Sequence, residues 1–277
     1  MLKQRVITAL VLLAVLLPAL FYPSIEPFAT LTLVLIVAAG WEWSRLNGLT
    51  ESLSRLVGLC LGVVLGGAWW LGALDVPWQG LWQFAGLLWV LLGGWMLHRG
   101  VDGWRHWSAG VRLIGGLLLI GVAWMALVHA RRLGLGFLLS VLTLVWMADI
   151  AAYFGGKAFG RRKLAPTVSP GKSWEGVYSG MLGVLLLGAG WLWLDARGLT
   201  DQPSLFARLW ANGPWLAMPA ILFLSAMSVV GDLVESLVKR SAGMKDSSQL
   251  LPGHGGVLDR VDALLPVLPL AMLFATL

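Results

Sequence analysis

Apolar residues fill nine long stretches of the chain, and short polar segments separate them. A helix that spans a bilayer needs roughly 20 predominantly apolar residues. The stretches cover residues 6–22, 28–43, 56–74, 81–98, 111–129, 133–154, 174–194, 215–238 and 261–277. Two of them, 28–43 and 261–277, are short, so tilt or flanking aromatic side chains must help them to cross. The pattern predicts an all-α, polytopic integral membrane protein with about nine transmembrane helices.

The composition agrees with a membrane protein and excludes several other classes. Of the 277 residues, 58% are hydrophobic and only 12% are charged, whereas a soluble domain has about 25% charged residues. A soluble enzyme, a secreted domain and a disordered chain are therefore excluded. The net charge of +6 sits in short loops between apolar blocks, so no nucleic-acid partner is expected. Because Cys60 is the single cysteine, an intrachain disulfide or a cysteine metal site is impossible.

The first stretch resembles a signal peptide, because Lys3 and Arg5 precede an apolar run. No cleavage site of the A-x-A type follows it, and eight more apolar stretches come after it. We therefore predict an uncleaved first helix.

The positions of Lys and Arg predict the orientation. With the N-terminus in the cytoplasm and nine spans, 16 of the 20 basic residues fall on the inner side. The four outer ones are Arg131, Arg132, Arg197 and Arg208. Cytoplasmic loops of membrane proteins carry an excess of basic residues, so an inner N-terminus and an outer C-terminus are expected.

Polar chemistry is concentrated in the C-terminal half of the chain. Residues 1–140 are mostly apolar, with acidic residues at predicted helix ends and in loops, whereas 145–178 and 231–262 hold most of the other polar side chains. We predict a transmembrane scaffold in 1–140 and a catalytic region in 141–277.

Asp149 lies inside the sixth stretch, about one turn from its predicted cytoplasmic end. An acid within a membrane segment is costly and indicates function by default. The alternative is a simple ion pair with Lys157 or Arg161.

The segment Gly155–Ser173 is predicted to be a cytoplasmic loop with glycines and five basic residues. Backbone amides and cations of such a loop could enclose a phosphate group. The alternatives are the general excess of basic residues on the inner side and binding of anionic lipid headgroups. Ser173 is a candidate N-cap of the seventh helix.

Residues 231–262 carry the densest polar pattern. Asp232, Glu235, Ser236 and Lys239 are spaced so that they share one helical face. His254 lies between Gly253 and Gly255, where the backbone is flexible. It could contact a phosphate or a leaving group, or act as an acid or base. Asp259 and Asp262 begin the last helix, where the helix dipole alone favours carboxylates. Because Asp149, Asp232 and Asp259 all fall at cytoplasmic ends of spans, we predict a Mg²⁺ and phosphate site there.

Residues 236–262, which we call the signature segment, resemble the phosphatidate cytidylyltransferase (CDP-diacylglycerol synthase) family. That family has the pattern S-x-[apolar]-K-R-x4-K-D-x-[small]-x2-[apolar]-[PG]-x-H-G-G-[apolar]-x-D-R-[apolar]-D. The matching residues are Ser236, Lys239, Arg240, Lys245, Asp246, Ser248, Leu251, Pro252, His254, Gly255, Gly256, Asp259, Arg260 and Asp262. Segments 149–160 and 169–176 also resemble the family, which often has a second basic residue where Gly171 stands.

The resemblance implies that CTP and phosphatidate react to give CDP-diacylglycerol and pyrophosphate at the cytoplasmic face of a bacterial inner membrane. It implies Mg²⁺, with K⁺ as a further cation, and a homodimer. Asp232 and Asp259 would hold the metal, supported by Asp149 and Asp246. Lys239, Arg240 and His254 would serve the phosphate and nucleotide site. Further substrate contacts are expected from Ser169, Lys172, Ser173, Ser236, Lys245 and Arg260.

Two other classes of function fit parts of the pattern. An ion-coupled transporter also has intramembrane acids, but its site lies near the midplane rather than at one face. Another CTP-dependent lipid enzyme, such as a polyprenol kinase, would share the phosphate chemistry. The motif of CDP-alcohol phosphotransferases is missing, because Trp104 and Arg105 follow Asp102–Gly103.

Overall fold

The computed structural model describes residues 2–276, and helices dominate it. The helices are α1 Leu2–Phe21, α2 Glu26–Leu46, α3 Glu51–Trp70, α4 Gln79–Arg105, α5 Ala109–Leu133, α6 Leu135–Phe159, α7 Trp174–Ala196, α8 Leu205–Ala211, α9 Pro214–Ser241, α10 Leu258–Val261 and α11 Leu264–Ala275. A 3₁₀ turn covers Ala73–Asp75. Two short strands, β1 Lys163–Ala165 and β2 Ser169–Ser173, pair in antiparallel fashion.

Eight helices within residues 2–276 are long and apolar enough to cross a membrane, namely α1 to α7 and α9. The first eight predicted spans each correspond to one of them, so the chain is an all-α polytopic membrane protein. The predicted ninth span at 261–277 differs. There α11 has only 12 residues and is about 18 Å long, which is short of the roughly 30 Å hydrocarbon core. A count of nine is therefore not confirmed.

Helix α11 is an interior element of the bundle. Its residues Leu264–Met272 are all buried, and it packs against α4, α5 and α9. Because α11 is apolar and Leu264–Met272 are covered by protein, its apolar sequence is explained by the interior of the bundle as well as by a membrane span. Helix α9 is equally central, since it also packs against α4 and α7.

The predicted loop 155–173 is mostly ordered secondary structure, and this corrects the sequence prediction. Helix α6 continues to Phe159, and β1 and β2 then form a hairpin that leads directly into α7. Asp149 consequently lies about three turns before the end of α6, not about one. The glycines at 155 and 156 pack against α7 instead of breaking the helix.

One end of the bundle gathers the connections that lead to the polar segments. Helix α4 is interrupted near this end at Gly100, which has a φ of 66°. Glycine adopts this positive φ at little steric cost because it has no Cβ atom. Beyond it, Arg105 Nη2 donates a hydrogen bond to the carbonyl oxygen of Ser241, 3.0 Å away at the end of α9. The α4–α5 connection and the signature segment therefore lie at the same end.

Candidate active site

A polar cavity of about 560 Å³ lies between the late turns of α6 and α9, the hairpin and the start of α10. Its lining contains four carboxylates and three basic side chains. The carboxylates are Asp149, Asp232, Asp259 and Asp262, and the basic residues are Lys157, Lys172 and Arg260. The three acids that the sequence placed at one membrane face are thus brought to one cavity, together with Asp262.

Helix α9 presents its polar residues along one face, as the spacing predicts. Asp232 accepts a hydrogen bond from Ser236 Oγ at 3.3 Å, and its Oδ2 lies 2.5 Å from Lys172 Nζ of β2. One turn further on, Glu235 Oε2 lies 2.5 Å from Lys239 Nζ. The ion pair between Lys172 and Asp232 fastens the hairpin to α9.

Lys239 stands between two carboxylates that are both nearly inaccessible. Its Nζ lies 2.5 Å from Glu235 Oε2 and 2.5 Å from Asp259 Oδ1, and the two acidic side chains are only 4% and 6% exposed. Unpaired charges at such positions would be strongly destabilising. Lys239 therefore joins α9 to the start of α10 and supplies the charge that allows both acids to be buried.

Asp259 is held by the backbone as well as by Lys239. Its Oδ2 accepts hydrogen bonds from the amides of Ser247 at 2.9 Å and Gly256 at 2.7 Å. Burial raises the pKa of Asp259, but the hydrogen bonds from Lys239 and the Gly256 amide outweigh it, and the pKa lies below its ordinary value. Asp259 is therefore a carboxylate at neutral pH.

The hairpin and the start of α7 form the opposite wall of the cavity. Ser173 Oγ accepts a hydrogen bond from the Gly176 amide at 3.2 Å, which confirms the predicted N-cap. Glu175 accepts from the amides of Arg161 at 3.0 Å and Arg162 at 3.1 Å. These bonds fix the hairpin to α7, so that Ser169, Lys172 and Ser173 all line the cavity.

Asp149 differs from the other acids because it is exposed towards the cavity. In residues 2–276 it forms no ion pair, with Lys157 and Arg161 or with any other basic side chain. The simple pairing that sequence reasoning left open is not observed.

The donor set has the chemistry that Mg²⁺ requires. Oxygen ligands suit this cation, and it is commonly held by one or two carboxylates together with substrate phosphates. Within residues 2–276 no three acidic or histidine side chains already form a metal centre. A cation bound to one or two of the cavity carboxylates and to a phosphate ligand fits these residues, whereas a closed, all-protein metal cage does not.

Six predicted site residues lie outside the cavity lining that residues 2–276 form: Ser236, Lys239, Arg240, Lys245, Asp246 and His254. Ser236 and Lys239 contact acids of the lining, as described above. Arg240 Nε donates to the carbonyl oxygen of Val168 at 3.4 Å, which braces the hairpin turn. Lys245 and Asp246 are exposed. His254 Nδ1 is buried without a hydrogen-bond partner in the described part of the chain. Their predicted roles in binding stay predictions.

Glu42 is the residue near the site that sequence reasoning missed. It lies in α2, within the half predicted as scaffold, and its side chain is fully buried against the signature segment. The sequence feature that could have indicated Glu42 is the same as for Asp149, namely an acid near the end of an apolar stretch. It was interpreted as a helix end, but α2 continues to Leu46.

Comparison with known proteins covers nearly the whole chain. The sequence profile of the Cytidylyltransferase family matches residues 3–277. A phosphatidate cytidylyltransferase from Pseudomonas aeruginosa is 41% identical over 99% of this chain and 98% of its own length. Those from Haemophilus influenzae and Brucella melitensis are 36% and 34% identical, over 97% and 94% of this chain and 96% and 81% of their own lengths.

Proposed function

Because this chain belongs to the Cytidylyltransferase family, we propose that it transfers the cytidylyl group of CTP to phosphatidate, giving CDP-diacylglycerol and pyrophosphate. The observation that carries the proposal is the cavity of about 560 Å³ in which four carboxylates face three basic side chains. Relatives that match this chain over nearly their full length are named phosphatidate cytidylyltransferase. Their name agrees with a cavity suited to phosphates. An ion-coupled transporter is less well supported, because the four carboxylates share their cavity with three basic side chains suited to binding phosphates.

In the proposed reaction a phosphate oxygen of phosphatidate attacks the α-phosphorus of CTP. The bond from the α-phosphorus to the bridging oxygen of the β-phosphate breaks, and pyrophosphate leaves with that oxygen. Both substrates are anions, so charge repulsion opposes their approach. Lys157, Lys172 and Arg260 line the cavity and would offset that repulsion by binding phosphate oxygens. The phosphate of phosphatidate is already ionised near neutral pH, so neither a protein nucleophile nor a strong general base is needed.

Asp232 and Asp259 are the residues that would hold Mg²⁺, with Asp149 in the same cavity as support. When bound, Mg²⁺ neutralises charge on the phosphate oxygens and favours the leaving pyrophosphate. Asp246, which is exposed outside the cavity lining, and a role for K⁺ stay predictions. Lys172 would exchange its partner from Asp232 to a substrate phosphate, which would free Asp232 for the cation.

The proposal extends to the setting of the enzyme. We place the cavity at the cytoplasmic face of a bacterial inner membrane, with the N-terminus in the cytoplasm, where CTP is available. Support comes from the distribution of the 20 basic residues. If the N-terminus is inside and the eight long helices alternate in direction, 16 of them fall on the cytoplasmic side. A homodimer is part of the proposal and is tested by the mass of the purified protein in detergent.

The deciding experiment uses purified full-length protein in detergent with CTP, phosphatidate and Mg²⁺. Mass spectrometry of the lipid and an assay of released pyrophosphate should show equal amounts of CDP-diacylglycerol and pyrophosphate. The matched control adds EDTA in excess of Mg²⁺, which should stop both products. Product formation from CTP and a polyprenol instead of phosphatidate, or ion flux into proteoliposomes without nucleotide, would contradict the proposal.

A further inference from the structure

Glu42 is a buried acid whose chemistry the proposed reaction does not use. Its side chain has 0% exposure. In residues 2–276 it forms no ion pair with any basic side chain. An ionised carboxylate without a cationic partner is costly to bury unless several hydrogen bonds compensate. Its surroundings must therefore supply those bonds.

The bonds all come from the signature segment. Oε1 of Glu42 accepts from Ser248 Oγ at 2.6 Å and from the Val257 amide at 2.9 Å. Oε2 accepts from the Leu258 amide at 2.8 Å and lies 3.2 Å from Ser247 Oγ. Every partner is a donor, and they come from both ends of the stretch 247–258. Glu42 thus closes this stretch into a loop.

The loop contains a glycine where Glu42 approaches it. A Cβ atom at Gly256 would lie 2.4 Å from Glu42 Oε1 and 2.1 Å from Ser247 Oγ. Both distances are far below van der Waals contact, so a larger residue would push the carboxylate and the serine away. The packing at Gly256 is matched to the carboxylate of Glu42.

The same loop sets the position of Asp259. Ser247 Oγ is 2.9 Å from Asp259 Oδ2 and 3.2 Å from Glu42 Oε2, so its single proton lies between two carboxylates. The amides of Ser247 and Gly256 also donate to Asp259 Oδ2. Any movement of the loop away from Glu42 would therefore move three of the donors that orient Asp259.

We infer that Glu42 is a positioning residue of the active site, which holds the loop 247–258 and, through the donors of that loop, fixes the carboxylate of Asp259 in the wall of the cavity. The inference rests on the proposed function, since it assigns Glu42 to the same reaction. Glu42 touches no reacting atom and acts through Ser247, Gly256 and Asp259. The N-terminal half therefore contributes to the chemistry as well as to the scaffold.

A carboxylate is required because all four partners are donors. In Glu42→Gln the side chain keeps one acceptor oxygen but replaces the other with an NH₂ group. That NH₂ group would face a backbone N–H or a hydroxyl that is itself a donor, so the hydrogen bonds on that side would be lost. The loop would then shift, and a misplacement of about 1 Å near a reacting centre lowers turnover by about 10²-fold. Size and burial are almost unchanged, so packing of α2 should be preserved.

The test measures kcat, the KM for CTP and the Mg²⁺ concentration for half-maximal rate, for wild type and Glu42→Gln. We expect kcat to fall by about 10²-fold and the half-maximal Mg²⁺ concentration to rise, with a smaller change in the KM for CTP. Glu42→Asp, which keeps the charge on a shorter side chain, should recover part of the lost kcat. A purely structural role would lower the unfolding temperature without moving the Mg²⁺ dependence.

Ser44→Ala is the matched control. Ser44 is buried in the same helix, and its hydroxyl donates only to the carbonyl oxygen of Gly40. This variant should keep the wild-type kcat and Mg²⁺ dependence. Wild-type kinetics in Glu42→Gln would overturn the inference. An inactive wild type would instead refute the proposed function, so the two failures are distinguishable.

Ser248→Ala tests the inference if Glu42→Gln does not fold. It removes the shortest bond to Glu42 and leaves every donor to Asp259 in place. Turnover should fall several-fold while the Mg²⁺ requirement rises. Wild-type turnover and Mg²⁺ dependence in Ser248→Ala would contradict the positioning role.

Discussion

Two lysines carry the positive charge that faces the acids of α9 and of the signature segment, and they differ in accessibility. The Lys172 side chain is 24% exposed beside Asp232, whereas Lys239 is 12% exposed between Glu235 and Asp259. A partly exposed pair can exchange partners at little cost, and a buried one cannot. Lys172 is therefore suited to binding substrate, and Lys239 to holding the site together.

At Lys172 we predict that alanine substitution lowers kcat/KM for CTP by about 10²-fold, because one cation facing the transferred phosphate is lost. The unfolding temperature should change little, since the ion pair is partly exposed. Initial rates and thermal unfolding in detergent measure both quantities. Arg197→Ala is the control, because Arg197 is an exposed residue just beyond the far end of α7. Equal losses in the two variants would remove Lys172 from the site.

At Asp232 we predict that asparagine raises the Mg²⁺ concentration for half-maximal rate by about tenfold, since a charged oxygen ligand becomes a neutral one. Rates measured against Mg²⁺ concentration provide the test. Asp102→Asn changes an exposed acid that is not part of the cavity lining and should leave the curve unchanged. Unaltered Mg²⁺ dependence in Asp232→Asn would exclude Asp232 as a metal ligand.

At the scale of elements, the start of α6 depends on an acid from another part of the chain. Asp201, in the connection before α8, accepts hydrogen bonds from the amides of Leu135 at 2.7 Å and Gly136 at 2.6 Å. Burial raises the pKa of Asp201, but these bonds outweigh it, and the pKa is lowered. This bond pair ties α6, which carries Asp149, to α8 at the end of the bundle far from the cavity.

The lowered pKa predicts how stability changes with pH. Asp201→Asn should lower the free energy of unfolding by about 1 kcal/mol at pH 7, as loss of a helix cap does. A depressed pKa means that the contribution of the carboxylate is present above the ordinary pKa of aspartate and is lost as pH falls through the lowered value. The gap between wild type and variant should thus shrink in acid. Unfolding temperatures in detergent from pH 7 to pH 2 would show it, and a constant gap over that range would contradict the capping role.

At the scale of the whole molecule, the proposed orientation can be measured by cysteine labelling. In a Cys60→Ser background, Thr167→Cys in the hairpin turn and Gln249→Cys in the signature segment place single exposed thiols at the cavity end. Both should react with a membrane-impermeant maleimide only in inside-out vesicles. Leu199→Cys, in the exposed connection after α7, is the matched site at the opposite end and should react only in spheroplasts. The reverse pattern would place the cavity outside.

What the sequence predicts depends on how local the physical cause is. Eight spans and the Ser173 cap follow from runs of neighbouring residues, and the structure has them. The ninth span is not confirmed, because α11 is short and an apolar sequence does not distinguish lipid from a protein interior. The hairpin was missed because its strands are only three and five residues long. Glu42 was missed because its partners are more than 200 residues away, and no local pattern reports such a contact.

The contact between Glu42 and the signature segment also has a consequence for the synthesis and membrane insertion of the protein. Its hydrogen-bonded partners lie 205 to 216 residues further along the chain. At about 5–20 residues per second, the ribosome needs about 10–40 s to make them after Glu42 has emerged. During that interval α2 enters the membrane while Glu42 lacks the hydrogen-bond donors of the loop 247–258. Water or the insertion machinery must shelter it until the last tenth of the chain arrives and completes the site.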